Sequence, residues 1–425
     1  MKRKSMKKIS LLRKVPLFFS LFLSACCIFT GCSRQKEESV EITVIHGWGS
    51  AESDHESMRQ IYLDFQKEHP EIHLNIMALP SDSDVISKMR ELLTVGKVPD
   101  VVFTAGEGRD TIYQFMTEHS YALDLMPYLE ADEEFKNSIS PLAIETWTTE
   151  QGSLYTVSDV LLMGGYWYNR SLFEQAGIST PPETWSEWNT ACEKLKALGA
   201  HTTPQMNPLL LDTDHIVYLT NVFLHEKAPE ELSNIKNNRI NLQSSGFQSA
   251  LQFLKDLSSC ADTVNAYSFR DTLESFNNQE TAIYINGVWG ASLIDETIDA
   301  AYAAFPSDSG SSVAMSSSGV GYLLGNTGDQ RRTDASIEFL KYMLSEEVGE
   351  RLLTETKQVP ANPNILITED LVDERFYQAV SCIQKAEIII EFPAIFWNTH
   401  LQEQYGERVI SYLKEDLTFE QLQIQ

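Results

Sequence analysis

Cysteine is scarce in this sequence, and its distribution excludes several kinds of site. Six cysteines occur in 425 residues, and three of them lie within the first 32 positions. Cys192, Cys260 and Cys382 are far apart and show no C-x-x-C or other metal-ligand spacing. Three thiols cannot all pair within one chain. An exported chain could pair two of them, but buried free thiols are the simpler expectation, and we expect no metal site.

Positive charge is also in short supply. The chain carries 33 Lys and Arg residues against 60 Asp and Glu residues, which gives a formal net charge of −27. Binding to nucleic acid needs a basic face, so this composition excludes a nucleic-acid partner. It also argues against a chain that lies flat on an anionic membrane. The acidity favours solubility, and a preference for cationic solutes is the alternative.

Long apolar runs are absent beyond the first residues. Positions 1–14 hold seven basic residues and no acid, and an apolar run follows at 15–25. A basic segment, a short apolar segment and small residues form an export signal. The run is shorter than the ~20 residues of a membrane-spanning helix. An N-terminal membrane anchor is the alternative interpretation.

Cysteines end this signal. The residues L-S-A-C at 23–26 match the lipobox of bacterial lipoproteins, and T-G-C at 30–32 is a second candidate. We expect residues 1–32 to be signal peptide and lipobox, and 33–39 to be a polar tether. Cys32 or Cys26 would carry the acyl chains. Cys26 fits the consensus better, whereas Cys32 leaves the more polar tether. Acylation would anchor the exported protein to the outer face of the cytoplasmic membrane.

The start of the mature chain predicts alternating strands and helices. The segments are a strand at 40–46, a helix at 52–69, a strand at 72–79, a helix at 84–95 and a strand after Pro99. A β-α-β-α-β series implies a parallel sheet with right-handed crossovers. Ligands bind at the carboxyl ends of such strands, which here are residues 46–50 and 104–110.

Three stretches carry a resemblance to a known family. They are residues 152–185 (with G-S-L-Y-T-V-S-D, G-Y-W-Y-N-R-S-L-F and P-P-E-T-W), residues 276–289 (F-N-N-Q-E-T-A-I-Y-I-N-G-V-W) and residues 321–364, which end in V-P-A-N-P-N. Their order and spacing resemble the family 1 extracellular solute-binding proteins of bacterial ABC importers, which include maltose-binding protein. Ser158, Arg170 and Ile283 depart from the family pattern, where proline, lysine and methionine are usual.

The resemblance implies an α/β fold of the periplasmic-binding-protein type II, with two α/β lobes joined by a hinge. Carried over to this sequence, lobe one would hold 40–154 and 304–330, and lobe two would hold 157–302 and 333–425. The chain would cross between them near 155–156, 303 and 331–332. Closure of the lobes around a ligand would be a hinge motion.

Aromatic and polar residues at strand ends are the candidate ligand contacts. A sugar site needs flat aromatic platforms and planar hydrogen-bonding groups. Trp48 and His46 follow the first strand, and Glu107 and Arg109 follow the third. Each also has a structural interpretation, as core packing or as a solvated loop. His46 is expected to donate a hydrogen bond to ligand and not to bind metal.

The resemblance supplies the other candidates. It makes Trp289 the family's stacking tryptophan and places Asp159 at the cleft after the first crossing. Tyr166 or Trp167 would face the cleft from the next strand. Asn207 and Trp397 fall in loops where relatives often add contacts. Core packing or hinge structure is the alternative for each of these residues.

The function that this implies is binding, without catalysis or cofactor. A surface glycosidase is the rival class, but the sequence shows no G-x-S-x-G or H-E-x-x-H motif, and 60 acids always supply some carboxylate pair. A non-sugar ligand and a ligand-sensing role remain alternatives. The expected partners are a carbohydrate and the ABC permease membrane subunits, and we expect a monomer.

Overall fold

The computed structural model describes residues 39–51, 53–104, 109–236, 239–259, 261–267 and 269–422. The export signal, Cys26, Cys32 and residues 33–38 of the tether lie outside this set, as do Cys260 and Glu107. Residues 40–425 form one unit. Within the described ranges, no helix is long and apolar enough to cross a membrane.

Strands account for thirteen segments of the described chain. They are β1 (Val40–His46), β2 (Ile72–Ala78), β3 (Val101–Thr104), β4 (Thr156–Val157), β5 (Val160–Asn169), β6 (Asn207–Asp212), β7 (Ala261–Tyr267), β8 (Thr281–Gly287), β9 (Ala300–Ala303), β10 (Val313–Ser318), β11 (Gly321–Leu324), β12 (Val359–Pro360) and β13 (Ile388–Ile390).

Helices connect these strands. They are α1 (Ser53–Glu68), α2 (Asp82–Thr94), α3 (Gln114–Glu118), α4 (Met126–Ala131), α5 (Glu133–Asn137), α6 (Pro141–Trp147), α7 (Arg170–Gln175), α8 (Trp185–Gly199), α9 (Thr213–Lys227), α10 (Pro229–Lys236), α11 (Ser245–Ser258), α12 (Phe269–Asn277), α13 (Gln330–Met343), α14 (Glu346–Arg351), α15 (Glu374–Gln384), α16 (Pro393–Phe396) and α17 (Thr399–Leu413). Shorter 3-10 or π segments are Arg109–Tyr113, Val288–Ser292, Leu352–Thr356 and Phe419–Gln421. Side chains cap several first turns, for example Ser81 at α2 and Thr184 at α8.

The first sheet has the order β2-β1-β3-β11-β4. β1 is parallel to β2 and β3, whereas β11 is antiparallel to β3 and β4. The β-α-β-α-β series predicted for the start of the mature chain is therefore confirmed. Tyr62 and Phe65 of α1 pack edge-on against Phe339 of α13. These contacts hold together two of the helices that cover the first sheet.

The second sheet is built around β5. Its order is β13-β10-β5-β8-β6-β7, and β9 and β12 also pair with β5. β5 is antiparallel to β8, β9, β10 and β12, while β6 is parallel to β7 and β8. The two sheets with their helices form the mixed α/β architecture that was predicted.

The chain passes between the sheets at positions that differ from the predicted ones. The first crossing is at 158–159, because residues 156–157 still pair with β11. The next is at 319–320 and not near 303, because β9 and β10 both pair with β5. α13 then packs on the first sheet, where Nη2 of Arg332 lies 2.6 Å from Oδ2 of Asp100. The chain therefore does not cross between the sheets at 331–332. The chain returns at 357–358, before β12 pairs with β5.

Two of these crossings touch each other. Gly321 has a φ of 69°, and a Cβ on it would lie 2.3 Å from the carbonyl oxygen of Val157 and 2.4 Å from Cα of Ser158. Only glycine allows both this left-handed backbone and this approach. The Thr156 hydroxyl also donates to the carbonyl oxygen of Tyr322 at 3.1 Å. The neighbouring crossings thus form one narrow connection.

Candidate functional site

A cavity of about 330 Å³ lies where loops of the two sheets meet. Its wall begins with the turn after β1 and the start of α2, and continues through the first residues of β5. It is completed by the turn after β8, the crossing at 357–358 and the loop before α16. The lining residues are Trp48, Asp82, Val160, Leu161, Leu162, Tyr218, Val288, Trp289, Ser292, Leu293, Thr356, Lys357, Gln358, Val359, Phe392 and Ala394.

Trp48 is the aromatic contribution from the first sheet. Its backbone N–H donates to Nδ1 of His46 at 3.0 Å, and its carbonyl oxygen accepts from Arg59 at 2.7 Å. The ring packs edge-on against His55, with ring centroids 5.0 Å apart. Gly47 lets this turn approach α2, since a Cβ there would lie 2.6 Å from Oδ1 of Asp82. Backbone and ring are therefore held before any ligand arrives.

Trp289 and Phe392 rest on a floor made of two glycines. Gly287 of β8 and Gly164 of β5 are cross-strand partners. A Cβ on Gly287 would lie 2.1 Å from the Trp289 ring, and one on Gly164 would lie 2.4 Å from the Phe392 ring. The two ring centroids are 6.0 Å apart, at an angle of 37° between planes. Because both glycines lack side chains, the rings lie close against the sheet.

Tyr218 of α9 completes the aromatic wall on the side of the second sheet. Its ring meets Phe392 edge-on, with centroids 5.7 Å apart and planes at 88°. Edge-to-face contacts of this kind are favourable and restrict both rings. The second sheet thus supplies three aromatic rings to the wall, and the first sheet supplies Trp48.

Polar groups are few on this wall. Oε1 of Gln358 is buried and has no hydrogen-bond partner within the described part of the chain. An unpaired buried acceptor is costly, so a donor from a ligand would relieve it. Thr356 donates to the carbonyl oxygen of Leu352 at 2.7 Å and Ser292 to that of Trp289 at 2.9 Å. An apolar pocket with few convergent polar groups is typical of small-molecule sites.

Comparison with known proteins identifies the family. The family model described as "Bacterial extracellular solute-binding protein" matches residues 60–374. The chain belongs to this family of bacterial extracellular solute-binding proteins.

Two curated members show partial similarity. The chain is 27% identical over 191 residues to the multiple sugar-binding protein of Streptococcus mutans, covering 45% of this chain and 41% of that one. It is 25% identical over 182 residues to the melibiose/raffinose/stachyose-binding protein MelE of Bacillus subtilis, covering 42% and 39%. The matches thus span about two fifths of the length of these relatives.

Solved structures agree in fold. A Streptococcus pneumoniae solute-binding protein in complex with the blood group A-trisaccharide superposes with a TM-score of 0.76 at 21% identity, covering 90% of this chain and 97% of that one. A chitin oligosaccharide binding protein has the same TM-score at 19% identity and covers 90% and 96%. The chain therefore has the type II periplasmic-binding-protein fold.

The structure brings Trp48 and Trp289 to the same cavity of this solute-binding protein, but it does not place His46 on the wall. His46 is fully buried and packs edge-on against Tyr62, with centroids 4.9 Å apart. Burial, with the nearby Arg59 and His55, lowers the pKa of His46 to about 3. His46, which was expected to donate a hydrogen bond to ligand, is a neutral side chain here and accepts a hydrogen bond from the backbone N–H of Trp48.

Asp159 also lies off the wall, in the first crossing. It is 2% exposed, and its Oδ2 accepts a hydrogen bond from the Tyr322 hydroxyl at 3.0 Å. The hydroxyl oxygen of Tyr62 lies 3.1 Å from the hydroxyl oxygen of Tyr322. Burial raises the pKa of Asp159 to about 7, although the Tyr322 hydrogen bond opposes this. In this arrangement the carboxyl group ties the crossing to the first sheet.

Three further predicted contacts are not among the lining residues of this cavity. Trp167 is fully buried and donates from Nε1 to the carbonyl oxygen of Gly287 at 3.0 Å, so it supports the turn that carries Trp289. Trp397 is 2% exposed and packs on Tyr405. Asn207 begins β6, where its N–H donates to the carbonyl oxygen of Glu280 at 2.9 Å. The side chains of Trp167 and Trp397 are therefore buried by packing, and the backbone of Asn207 pairs within the sheet.

The remaining predictions fall partly outside the described residues. This applies to Glu107 and to the side chain of Arg109, whose backbone begins the short segment before α3. Cys192 is buried, as predicted, and Cys382 is a free thiol that is partly exposed. Among the residues that the structure describes, no group of three or more His, Cys, Asp or Glu side chains could hold a metal ion.

Sequence reasoning missed Asp82, Tyr218, Gln358 and Phe392. Tyr218 and Phe392 follow ordinary apolar patterns in a helix and a loop, so nothing in the sequence distinguishes them from core residues. Gln358 directly precedes the V-P-A-N-P-N stretch that carries the family resemblance. This position in the sequence could have indicated that Gln358 lies near the site. Asp82 begins a helix, where an acidic residue is expected for capping reasons alone.

Proposed function

We propose that the protein binds a carbohydrate outside the cytoplasm and delivers it to an ABC importer. The observation that carries this proposal is that Trp48, from the first sheet, and Trp289, from the second, line one cavity. Sugars present flat apolar faces that stack on aromatic rings, and their hydroxyls need acceptors such as Oε1 of Gln358. The sugar-binding proteins named above support the ligand class.

The crossings beside the cavity suggest how binding is coupled to delivery. Val160 and Leu161 follow the crossing at 158–159 directly, while Lys357 and Gln358 form the crossing at 357–358. A ligand in the cavity therefore touches the connections between the sheets as well as both walls. The proposed lobes are each sheet with its helices, and the proposed hinge consists of the crossings at 158–159, 319–320 and 357–358.

A sugar panel tests the binding function. Ligand at 100 times its dissociation constant should stabilise the protein by ~2.7 kcal/mol, which thermal unfolding detects. Trp289→Ala should remove this shift, Trp289→Phe should restore part of it, and Phe115→Ala should leave it intact because Phe115 lies outside the cavity. If no sugar in the panel raises the melting temperature, the carbohydrate assignment is wrong.

Binding without bond cleavage is part of the proposal. The cavity wall presents one carboxylate, Asp82, within the described residues, whereas glycosidases generally use a pair. Incubating the protein with each sugar that stabilises it, followed by chromatography of the mixture, should return the sugar unchanged. Products that accumulate in proportion to protein concentration would contradict this.

The anchor is proposed from the lipobox sequences. We expect Cys32 or Cys26 to carry lipid and the binding protein to work as a monomer beside permease subunits in the membrane. Labelling cells with radioactive palmitate should mark the wild-type protein. Comparing Cys26→Ser with Cys32→Ser identifies the acceptor, because only one of the two variants should lose the label. Label on neither wild type nor variants would refute the anchor.

A further inference from the structure

Asp159 lies where the three crossings between the sheets meet. It belongs to the first crossing, and its Oδ2 accepts a hydrogen bond at 3.0 Å from the hydroxyl of Tyr322, which follows the second crossing. Its backbone carbonyl oxygen accepts a hydrogen bond at 2.7 Å from the N–H of Ala361, which follows the third crossing. One residue therefore contacts both of the other connections.

The two contacts of Asp159 involve different sheets. Tyr322 belongs to β11 of the first sheet, whereas Ala361 directly follows β12, which pairs with β5 of the second sheet. Under the proposed function, opening of the lobes rotates one sheet relative to the other at the crossings. Such a rotation changes the distance between the Tyr322 hydroxyl and the backbone of Ala361. Asp159 therefore cannot keep both contacts unchanged when the lobes open.

The carboxyl group of Asp159 is buried without a positive partner. It is 2% exposed, and its Oδ1 has no hydrogen-bond partner within the described part of the chain. Asp100 is equally buried, but its Oδ2 lies 2.6 Å from Nη2 of Arg332 and accepts the N–H of Thr43 at 2.7 Å. An ionised carboxylate needs such partners when it is removed from water. The surroundings of Asp159 therefore favour its protonated, neutral form.

The groups that face Asp159 from neighbouring elements are neutral or already paired. Burial raises the pKa of the Tyr322 phenol and that of the Tyr62 phenol next to it on α1, so both keep their protons at neutral pH. His46 packs on Tyr62 and is neutral, because burial lowers its pKa to about 3. In the third crossing, Nζ of Lys357 lies 2.9 Å from the N-cap carboxylate of α15. Of these groups, Asp159 titrates near neutral pH, since burial raises its pKa to about 7.

We propose that Asp159 couples closure of the lobes to protonation, so that the protein binds its ligand more tightly at acidic pH than at alkaline pH. This inference rests on the proposed binding function and adds the proton as a second ligand at the hinge. In the closed state the carboxyl group is buried and holds a proton, whereas opening admits water and lets the proton leave. Because such coupling is reciprocal, protonation and ligand binding strengthen each other by the same factor.

The pH window follows from the direction of the shift. Closure takes up a proton where the pH lies below the closed-state pKa of about 7 and above the lower pKa of the hydrated carboxyl group. Affinity should therefore fall as the pH rises through this window and become constant above it. Each unit by which opening lowers the pKa of Asp159 changes the affinity about tenfold. A difference of about one unit predicts a fall of about five- to tenfold between pH 5.5 and pH 8.

Titration calorimetry between pH 5.5 and pH 8 tests this inference, with raffinose, maltotriose, xylotriose and chitotriose as probes. Asp159→Asn keeps the shape of the side chain but cannot titrate, so its affinity should not depend on pH. Asp100→Asn is the matched control, because it removes an equally buried carboxyl group outside the crossings and should keep the pH dependence of wild type. Tyr322→Phe removes a hydrogen bond that lowers the pKa of Asp159, so its fall in affinity should move to higher pH.

Two further measurements separate proton coupling from a structural role. Titrations in buffers of different ionisation enthalpy should show proton uptake when wild type binds a sugar near pH 6.5, and no uptake by Asp159→Asn. Small-angle X-ray scattering of the unliganded protein should give a radius of gyration that increases with pH in wild type but not in Asp159→Asn. The scattering measurement needs no ligand.

The outcomes distinguish this inference from the function on which it rests. Affinity that is independent of pH in wild type, or that falls equally in Asp159→Asn, would overturn the role of Asp159 and leave sugar binding intact. Absence of binding by every sugar would overturn the carbohydrate function, and the scattering result would then decide on Asp159. A radius of gyration that increases with pH only when Asp159 is present would support the coupling, and an unchanged radius would overturn it.

Discussion

Replacing Gly287 with alanine is predicted to weaken ligand binding without weakening the fold. The backbone at Gly287 has a φ of −72° and a ψ of 174°, which any residue can adopt. The three nearest atoms to an added Cβ all belong to the Trp289 ring, the closest at 2.1 Å. Carbon atoms pack at ~3.5 to 4 Å, so the ring has to move by roughly 1.5 Å.

The size of the effect follows from what that movement disturbs. A displaced Trp289 loses its contact with the glycine floor and its position on the cavity wall. An aromatic contact contributes ~0.5 to 1.5 kcal/mol beyond the area that it buries. With the lost contact area included, we expect affinity to fall about 10- to 100-fold, or ~1.4 to 2.8 kcal/mol. The melting temperature of the unliganded protein should change little, because alanine lowers the entropy of the unfolded chain.

A double-mutant cycle separates this mechanism from others. If the added methyl group acts only through the ring, Gly287→Ala should cost nothing further when introduced into Trp289→Ala. Titration calorimetry of wild type, both single variants and the double variant gives the coupling energy. Additive losses would refute the argument, since they would show that Gly287 affects the site by a route independent of Trp289.

Three other predictions follow from the buried polar groups. Asp159 keeps its proton in the folded protein up to pH about 7, but releases it near pH 4 when unfolded, so it destabilises the fold as pH rises between these values. The free energy of unfolding of Asp159→Asn, measured with urea, should therefore exceed that of wild type by a few kcal/mol at pH 8 and be similar to it at low pH. Equal free energies of unfolding at pH 8 would argue against a buried carboxylate. His46 should stay neutral, with ring proton resonances that do not shift between about pH 5 and pH 8 in an NMR titration; a midpoint near 6.5 would contradict its burial. Gln358→Met should lower sugar affinity about tenfold by calorimetry with little change in melting temperature, because only the ligand satisfies Oε1; unchanged affinity would exclude that contact.

The parts of the fold that sequence could predict depend on short-range patterns. The β-α-β-α-β start follows from the periodicity of apolar residues and from Pro and Gly at segment ends. Trp48 was a candidate because it follows a strand at its carboxyl end, and Trp289 because of the family resemblance; both line the cavity. These features need no knowledge of which strands pair.

The errors came from long-range choices. Whether β10 joins the first or the second sheet depends on its pairing with β5, more than a hundred residues earlier, and no local pattern encodes that choice. α13 is an amphipathic helix that could cover either sheet, and its contacts with Tyr62 and Phe65 decide the matter. Trp167 and Trp397 look like ligand platforms in sequence, but packing buries them. Tyr218 and Phe392 are the reverse case, because they look like core residues in the sequence but line the cavity.

The placement of aromatic rings on both sides of the cavity bears on how a binding protein signals that it is loaded. A ligand shifts an opening and closing equilibrium only through contacts that differ between the two states. Under the proposed function, Trp289, Phe392 and Tyr218 all belong to the second lobe, so their contacts with a sugar would be the same in the open and the closed state. Trp48 follows a strand of the first sheet, so its contact with the sugar would form only when the proposed lobes close. Under the proposed function, the second side supplies affinity, and Trp48, held rigid by His46 and Arg59, supplies the difference that favours closure.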